Sequence, residues 1–284
     1  MTRFLVTGAT GMLGTDLVAA LARRDVTALG RAELDITDAS AVHAAIEGFD
    51  VVINSAGYTR VDDAESHEAE AALVNAVGAG HVARAAADTG AILVHLSTDY
   101  VFDGTATSPY DEESPTRPAT AYGRTKADGE RRVLDAYPDG TFLVRTAWLY
   151  GQHGPNFVRT ILALGSERPE VNVVADQFGQ PTWTLDLARQ IVALIDSDAP
   201  FGIYHGTASG EASWFDFARE AFALGGLDPS HVLPTDSASF VRPAPRPAYS
   251  VLGHEAWLEA GLEPMRDWRV ALREAFATGA LRTP

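Results

Sequence analysis

Short, continuously apolar runs alternate with alanine-rich stretches through the first half of the chain. Arg3–Thr7 (RFLVT), Val26–Leu29, Val51–Asn54 (VVIN), Ala91–Ser97 (AILVHLS) and Thr141–Arg145 (TFLVR) predict strands. Between them, Thr15–Arg24 places Leu17, Val18, Leu21 and Ala22 on one helical face, and Ala39–Glu47 predicts a short helix. Ser66–Thr89 predicts one main helix, entered after Asp62 and Asp63, and Ala121–Tyr137 a helix closed by Pro138. Strands that are apolar throughout, and alternate with helices, predict a parallel sheet covered on both faces.

The second half is less regular. Asn156–Leu164, Leu185–Asp196, Ser213–Ala223 and Asp267–Thr278 predict helices, and Gly202–His205 (GIYH) a short strand. Arg242–Pro247 (RPAPRP) is a rigid connector that cannot lie in a central strand. No internal repeat or low-complexity linker separates the halves, so the second half is expected to pack directly on the first.

Composition narrows the function. A net charge of −16 argues against general binding to nucleic acid or to an anionic membrane, both of which need a basic face. The absence of cysteine removes disulfides, thiol nucleophiles and cysteine-bound metal centres. No apolar run approaches the ~20 residues of a membrane span, and MTRFLVTGATG lacks the apolar core of a secretion signal. A cytoplasmic protein is the expectation. Of 22 basic residues only Lys126 is lysine. In a chain that otherwise uses arginine, that position is a candidate for chemistry a guanidinium cannot supply.

Thr7-Gly8-Ala9-Thr10-Gly11-Met12-Leu13-Gly14 gives G-x-x-G-x-x-G directly after the first strand and at the opening of the first helix. A dinucleotide pyrophosphate sits at such a turn, held by free N–H groups and the helix dipole. The expected fold class is therefore α/β, a Rossmann-type doubly wound parallel sheet with a smaller mixed α/β substrate domain. The second strand ends in Leu29-Gly30-Arg31 with no carboxylate. Arg31 at this place favours NADPH, by holding its 2′-phosphate, with NADH as the alternative.

Tyr122 and Lys126 form Y-x-x-x-K, which brings both to one helix face. An adjacent ammonium favours the phenolate and is expected to lower the tyrosine pKa. Ser97 and Thr98 close the fourth strand, where a hydroxyl can polarise a substrate carbonyl.

Together these features resemble the extended short-chain dehydrogenase/reductase family. Stretches such as Asn54–Glu65, Leu96–Gly104 (LSTDYVFDG), Arg145–Gly151, Asn156-Phe157, Asp176–Thr182 and Arg246–Ser250 make the resemblance narrower. They are similar to the family's dTDP-4-dehydrorhamnose reductases over nearly the whole chain. The resemblance implies hydride transfer from the nicotinamide to a C4 keto group, converting dTDP-4-dehydro-L-rhamnose to dTDP-L-rhamnose. Tyr122 would donate the proton, Thr98 polarise the oxygen and Lys126 tune Tyr122 and hold the ribose.

It further implies that Gly8, Gly11, Met12, Leu13 and Gly14 lie under the pyrophosphate and that Arg31, Asp35 and Ile36 surround the adenosine half. Ala56, Gly57, Tyr58, Thr59 and Leu96 would line the nicotinamide half together with Tyr122 and Lys126. Thr98, Asp99, Tyr100, Trp148, Asn156 and Arg246 would meet the substrate. Residues 1–147, with a returning segment at about 180–206, would form the dinucleotide domain, and about 148–179 with 207–284 the substrate domain. A dTDP-sugar is the implied partner, no metal site is expected, and a homodimer is compatible with the resemblance. Tyr249 stands where the family often has Asn, and Trp183 follows Pro-Thr where other residues are frequent, so the exact sugar stays open. A related keto-deoxysugar, such as one on the way to dihydrostreptose, and a non-catalytic subunit like the regulatory one of methionine adenosyltransferase are the alternatives. A dehydratase is disfavoured, because Tyr100 follows Thr98-Asp99 where that chemistry uses Glu.

Overall fold

The computed structural model describes residues 1–281. Strands β1 (Arg3–Thr7), β2 (Asp25–Leu29), β3 (Val51–Asn54), β4 (Ile92–Thr98) and β5 (Thr141–Thr146) all lie where apolar runs predicted them. The intervening helices are α1 (Met12–Ala20), α2 (Ala39–Ile46), α3 (Val61–Ala64), α4 (Glu68–Ala72), α5 (Ala79–Thr89) and α6 (Ala121–Ala136). The helix predicted over Ser66–Thr89 is not uniform: a π-helical turn, Leu73–Gly78, joins α4 to α5. That widening brings the Asn75 carbonyl against α6, where a Cβ at Gly129 would stand 2.1 Å from it. Such turns recur at functional sites.

Beyond β5 come β6 (Leu149–Tyr150), α7 (Phe157–Glu167), β7 (Val171–Val174), β8 (Phe178–Gly179), β9 (Thr182–Trp183) and α8 (Thr184–Ile195). β10 (Gly202–His205), β11 (Ala212–Ser213), α9 (Trp214–Leu224), β12 (Val232–Thr235), α10 (Glu255–Glu259) and α11 (Trp268–Ala277) complete the described chain. The short strands β6–β9, β11 and β12 pair two by two and carry too few residues for a readable alternation. β10 instead returns to the main sheet, in the order β10-β5-β4-β3-β1-β2, every pair parallel.

One face of this sheet packs Phe4, Val6, Ile53 and Val94 against Leu13 and Leu17 of α1 and Leu187 and Ile191 of α8. The other packs Leu5, Val52 and Leu93 against Val42 and Ile46 of α2 and Val82 and Ala86 of α5. This double coverage is why the strands tolerate no polar alternation. A separate core gathers Val158, Phe217, Phe222, Trp268 and Leu272 from the second half. Ser213 and Asp216 cap α9 reciprocally, each side chain meeting the other residue's backbone N–H.

Candidate active site

At the carboxyl ends of the strands the sheet order reverses about β1, with β2 to one side and β3 to the other. Ligand crevices form at such a switch point. A cleft of about 530 Å³ opens there.

The glycine turn forms one end of the cleft. Gly8 has φ +66, and a Cβ there would stand 2.6 Å from the Ala56 nitrogen; one at Gly14 would stand 2.3 Å from the Gly8 oxygen. Gly11 enters α1 in extended conformation, and Thr15 is the residue whose N–H closes onto its carbonyl, at 3.0 Å. The N–H groups of Met12, Leu13 and Gly14 precede that first closed turn and face a ligand position at the helix N-terminus. Gly8, Gly11, Met12, Leu13 and Gly14 all line the cleft. The donor set and the side-chain-free backbone fit a dinucleotide pyrophosphate.

Past β2, Arg31, Asp35 and Ile36 line the same cleft. Asp35 accepts the Thr37 N–H at 3.0 Å and its hydroxyl at 2.8 Å, and these bonds hold its carboxyl below the usual range. The expectation of a β2 terminus without a carboxylate needs correction. Glu33 Oε2 accepts the Gly30 N–H at 2.9 Å, so the chain folds an acid back to the strand end.

After β3, Ala56, Gly57, Tyr58 and Thr59 form the next part of the wall. Sequence reasoning missed the residue that holds them. Asn75, on the π turn, accepts the Tyr58 N–H at 2.8 Å and donates to the Tyr58 carbonyl at 3.0 Å and to Thr125 Oγ1 at 3.1 Å. Thr125 in turn donates to the Tyr122 carbonyl at 2.8 Å. One buried amide thus ties the loop after β3 to α6.

Leu96, Thr98, Asp99, Tyr100, Tyr122 and Lys126 meet at the middle of the cleft. Thr120 caps α6 through the Gly123 N–H at 3.0 Å, which fixes the start of the helix carrying the pair. Thr98 donates to Asp99 Oδ1 at 2.9 Å, and its hydroxyl also lies within reach of the Tyr122 phenol. Tyr100 packs edge-on to Tyr122 at 5.6 Å. Burial pushes the Tyr122 phenol up to about 12, so the expected lowering by Lys126 is not what this structure has. Lys126 donates its ammonium to the Leu96 carbonyl at 2.6 Å instead, and burial brings it down to about 8. A phenol with a raised pKa keeps its proton at neutral pH, the form a general acid needs. Asp99 is fully enclosed and raised to about 6 by burial, and its Oδ2 has no hydrogen-bond partner.

Beneath this group lies a polar layer. Thr7 Oγ1 donates to Asn54 Oδ1 at 2.7 Å, and Asn54 Nδ2 meets His95 Nδ1 at 3.1 Å. Burial, then the Lys126 charge, drive His95 toward its neutral form. One turn beyond Lys126, Glu130 pairs with Arg145 of β5 through two bonds of 3.0 and 2.8 Å.

Trp148 lines the far end of the cleft. Its φ of +47 makes it the one non-glycine residue with positive φ among those described. Its ring stacks on Trp214 at 3.5 Å and 7°. Asn156 and Arg246 do not line the cleft. Asn156 caps α7 through the Arg159 N–H and donates to the Gly151 carbonyl at 3.0 Å. Arg246 pairs with Asp62 at 2.8 Å. Trp183 is core, with the Arg266 guanidinium over its ring, and Tyr249 donates to Glu211 at 3.1 Å. Among the described residues, no group of three or more His, Asp or Glu is placed to hold a metal ion, and no helix is long and apolar enough to cross a membrane.

The family model described as RmlD substrate binding domain matches residues 2–280. A dTDP-4-dehydrorhamnose reductase of Streptomyces griseus is 52% identical, covering 96% of this chain and 93% of its own. A dTDP-4-keto-6-deoxy-D-glucose reductase of Streptomyces niveus is also 52% identical, covering 96% of each. The crystal structure of a Bacillus anthracis dTDP-4-dehydrorhamnose reductase in complex with NADP has a TM-score of 0.94 at 39% identity, covering 98% of this chain and all of that one.

Proposed function

Starting from a chain that belongs to the RmlD family, that of the dTDP-4-dehydrorhamnose reductases, we propose that this oxidoreductase reduces the C4 keto group of dTDP-4-dehydro-L-rhamnose with NADPH in the cytoplasm, giving dTDP-L-rhamnose. The observation that carries the reading is one cleft with a pyrophosphate-fitted glycine turn at one end and Thr98, Tyr122 and Lys126 at its middle.

The bound dinucleotide supplies the hydride; the chain supplies position and a proton. Backbone N–H groups of Met12, Leu13 and Gly14 hold the pyrophosphate against the helix dipole. Arg31, Asp35 and Ile36 serve the adenosine half, and Ala56, Gly57, Tyr58, Thr59 and Leu96 the nicotinamide half. Tyr122 donates its proton to the substrate oxygen while Thr98 offers a second hydrogen bond as charge develops there. Lys126, the single lysine, serves ribose hydroxyls from the same helix face as Tyr122. Asp99, Tyr100 and Trp148 face the sugar. Asn156 and Arg246 act through α7 and the Asp62 pair rather than by touching substrate. The division into a dinucleotide domain and a substrate domain is supported by the separate cores and by β10 returning to the sheet.

A second reading is favoured by the equal 52% identity to the Streptomyces niveus reductase: the same step on a related dTDP-4-keto-6-deoxysugar. Cofactor oxidation is followed with dTDP-4-dehydro-L-rhamnose, then with dTDP-4-keto-6-deoxy-D-glucose, for the wild type and Tyr122→Phe. Turnover on the first that the variant loses by about 100-fold or more supports the proposal. Turnover on the second alone selects the other sugar, and turnover that survives the substitution removes Tyr122 as proton donor.

A further inference from the structure

A threonine hydroxyl has one hydrogen to give and two lone pairs to accept with. Thr98 spends its hydrogen on Asp99 Oδ1 at 2.9 Å. One lone pair receives the Tyr100 N–H at 3.3 Å, and the Tyr122 phenol lies within reach of the other. While Asp99 is a carboxylate, Thr98 therefore has nothing left to donate to a substrate oxygen. A neutral Asp99 reverses the bond. Its O–H donates to Thr98 Oγ1, the hydroxyl hydrogen of Thr98 is free to turn toward the cleft, and Tyr100 and Asp99 fill both lone pairs. Tyr122 must then give its own hydrogen elsewhere, and the substrate oxygen is the acceptor that the cleft brings.

The surroundings of Asp99 favour that neutral form. The residue is 2% exposed, and its Oδ2 lacks a partner. The groups that hold its charge are the hydroxyls of Thr98 and Ser250 and the N–H groups of its own turn, none of them a cation. Tyr100 from that turn and Tyr122 from α6 are the titratable side chains that face it, and burial raises both phenols. The Arg246–Asp62 pair acts on Tyr100 from outside, and Lys126 gives its ammonium to the Leu96 carbonyl. Burial brings Asp99 up to about 6. An anionic ligand that fills the cleft expels more water and adds negative charge, which raises it further. We propose that Asp99 is a positioning residue that must carry a proton before Thr98 can serve the substrate oxygen, so that one buried carboxyl gates the reduction. The inference rests on the reduction reading of the cleft, so its test must separate a failed gate from a failed reaction.

Single-turnover NADPH oxidation is followed against pH with a saturating dTDP-4-keto sugar, so that loss of a sugar contact, which reads in KM, is not mistaken for loss of the gate. The wild-type rate should be level on the acid side and fall about tenfold per pH unit through a break at or above about 6. It should reach a floor about 100-fold lower, the cost of one lost donor at a developing oxyanion. Asp99→Asn is neutral at every pH and its amide can donate to Thr98 Oγ1, so that break should vanish. Thr98→Val has no donor to gate and should stay near the floor throughout. Infrared difference spectra, wild type minus Asp99→Asn, read the carboxyl without turnover. Adding NADP⁺ and dTDP should move its titration upward from that of the free protein. A break that persists unmoved in Asp99→Asn while the sugar is still reduced overturns the gate alone. So does an Asp99 that titrates in the ordinary range of about 4 with both ligands bound. Absence of reduction of any dTDP-4-keto sugar by the folded wild type overturns the reduction reading and the gate with it.

Discussion

Removing the Glu130 carboxylate should cost far more than removing a surface partner of the same chemistry. Arg145 and Glu130 have side chains only 3% and 5% exposed. Arg145 spends Nε and Nη2 on Glu130 and donates through Nη1 to the Glu112 carbonyl at 3.2 Å, while its guanidinium sits 5.0 Å over the Phe102 ring. Glu130→Ala strands that cation, with two donors unpaired, where water cannot enter. Breaking a buried pair from one side costs about 3–5 kcal/mol. Arg24 and Asp196 provide the internal control, a two-bond pair at the surface between the turn before β2 and the end of α8. Asp196→Ala should cost only about 0.2–1 kcal/mol. Urea denaturation of both variants reads the difference. Tyr122, Lys126 and Glu130 follow one another at steps of four along α6, so the Glu130 pair also holds the helix that presents the other two. The reasoning fails if Glu130→Ala loses no more stability than Asp196→Ala.

Glu112 is raised to about 7 by burial. Its protonated form is favoured by folding, so this stabilisation is full below about 4.5 and is lost as pH rises through about 7. Glu112→Gln should therefore flatten stability against pH across that window, by up to about 1.4 kcal/mol per pH unit, and a parallel curve for the variant would count against it. At Gly179 a Cβ would stand 2.5 Å from Trp148 Cε2. Gly179→Ala should push the ring off Trp214, cost about 1–3 kcal/mol, alter tryptophan fluorescence and raise KM for the nucleotide sugar. An unchanged KM and melting temperature would show that the ring has room to spare.

The parts of the fold that were legible are those where one local rule suffices. A short run such as VVIN, apolar up to Asn54, reads as a doubly covered strand among its neighbours, and glycines at 8, 11 and 14 read as close backbone approach after β1. The π turn was illegible because Leu73–Gly78 has no local signature; it exists where α6 presses through Gly129 on the Asn75 carbonyl. Asn75 was missed for the same reason, since its partners lie 17 and 50 residues away. Glu33 went unread because only Leu29-Gly30-Arg31 was taken as the end of β2, whereas a turn closes its carboxylate onto the Gly30 N–H. Asn156 caps α7 and Arg246 pairs with Asp62, structural uses that the motifs around them did not announce. The direction of the Tyr122 pKa shift needed burial, which no spacing reports.

The placement of β10 also has a consequence in time. Its register partner β5 ends at Thr146, whereas β10 begins at Gly202. At ribosomal rates of about 5–20 residues per second, the roughly 55 residues between them take about 3–11 s to make. Throughout that interval the nascent sheet ends in β5, a buried-type strand with its outer N–H and C=O groups unpaired. The stretch from β6 to α8 is thus synthesised while the first half remains open at one edge. Early release of the chain anywhere in that stretch would leave a sticky five-stranded sheet rather than a smaller stable domain, and a chaperone recognising strand edges would find its best target there.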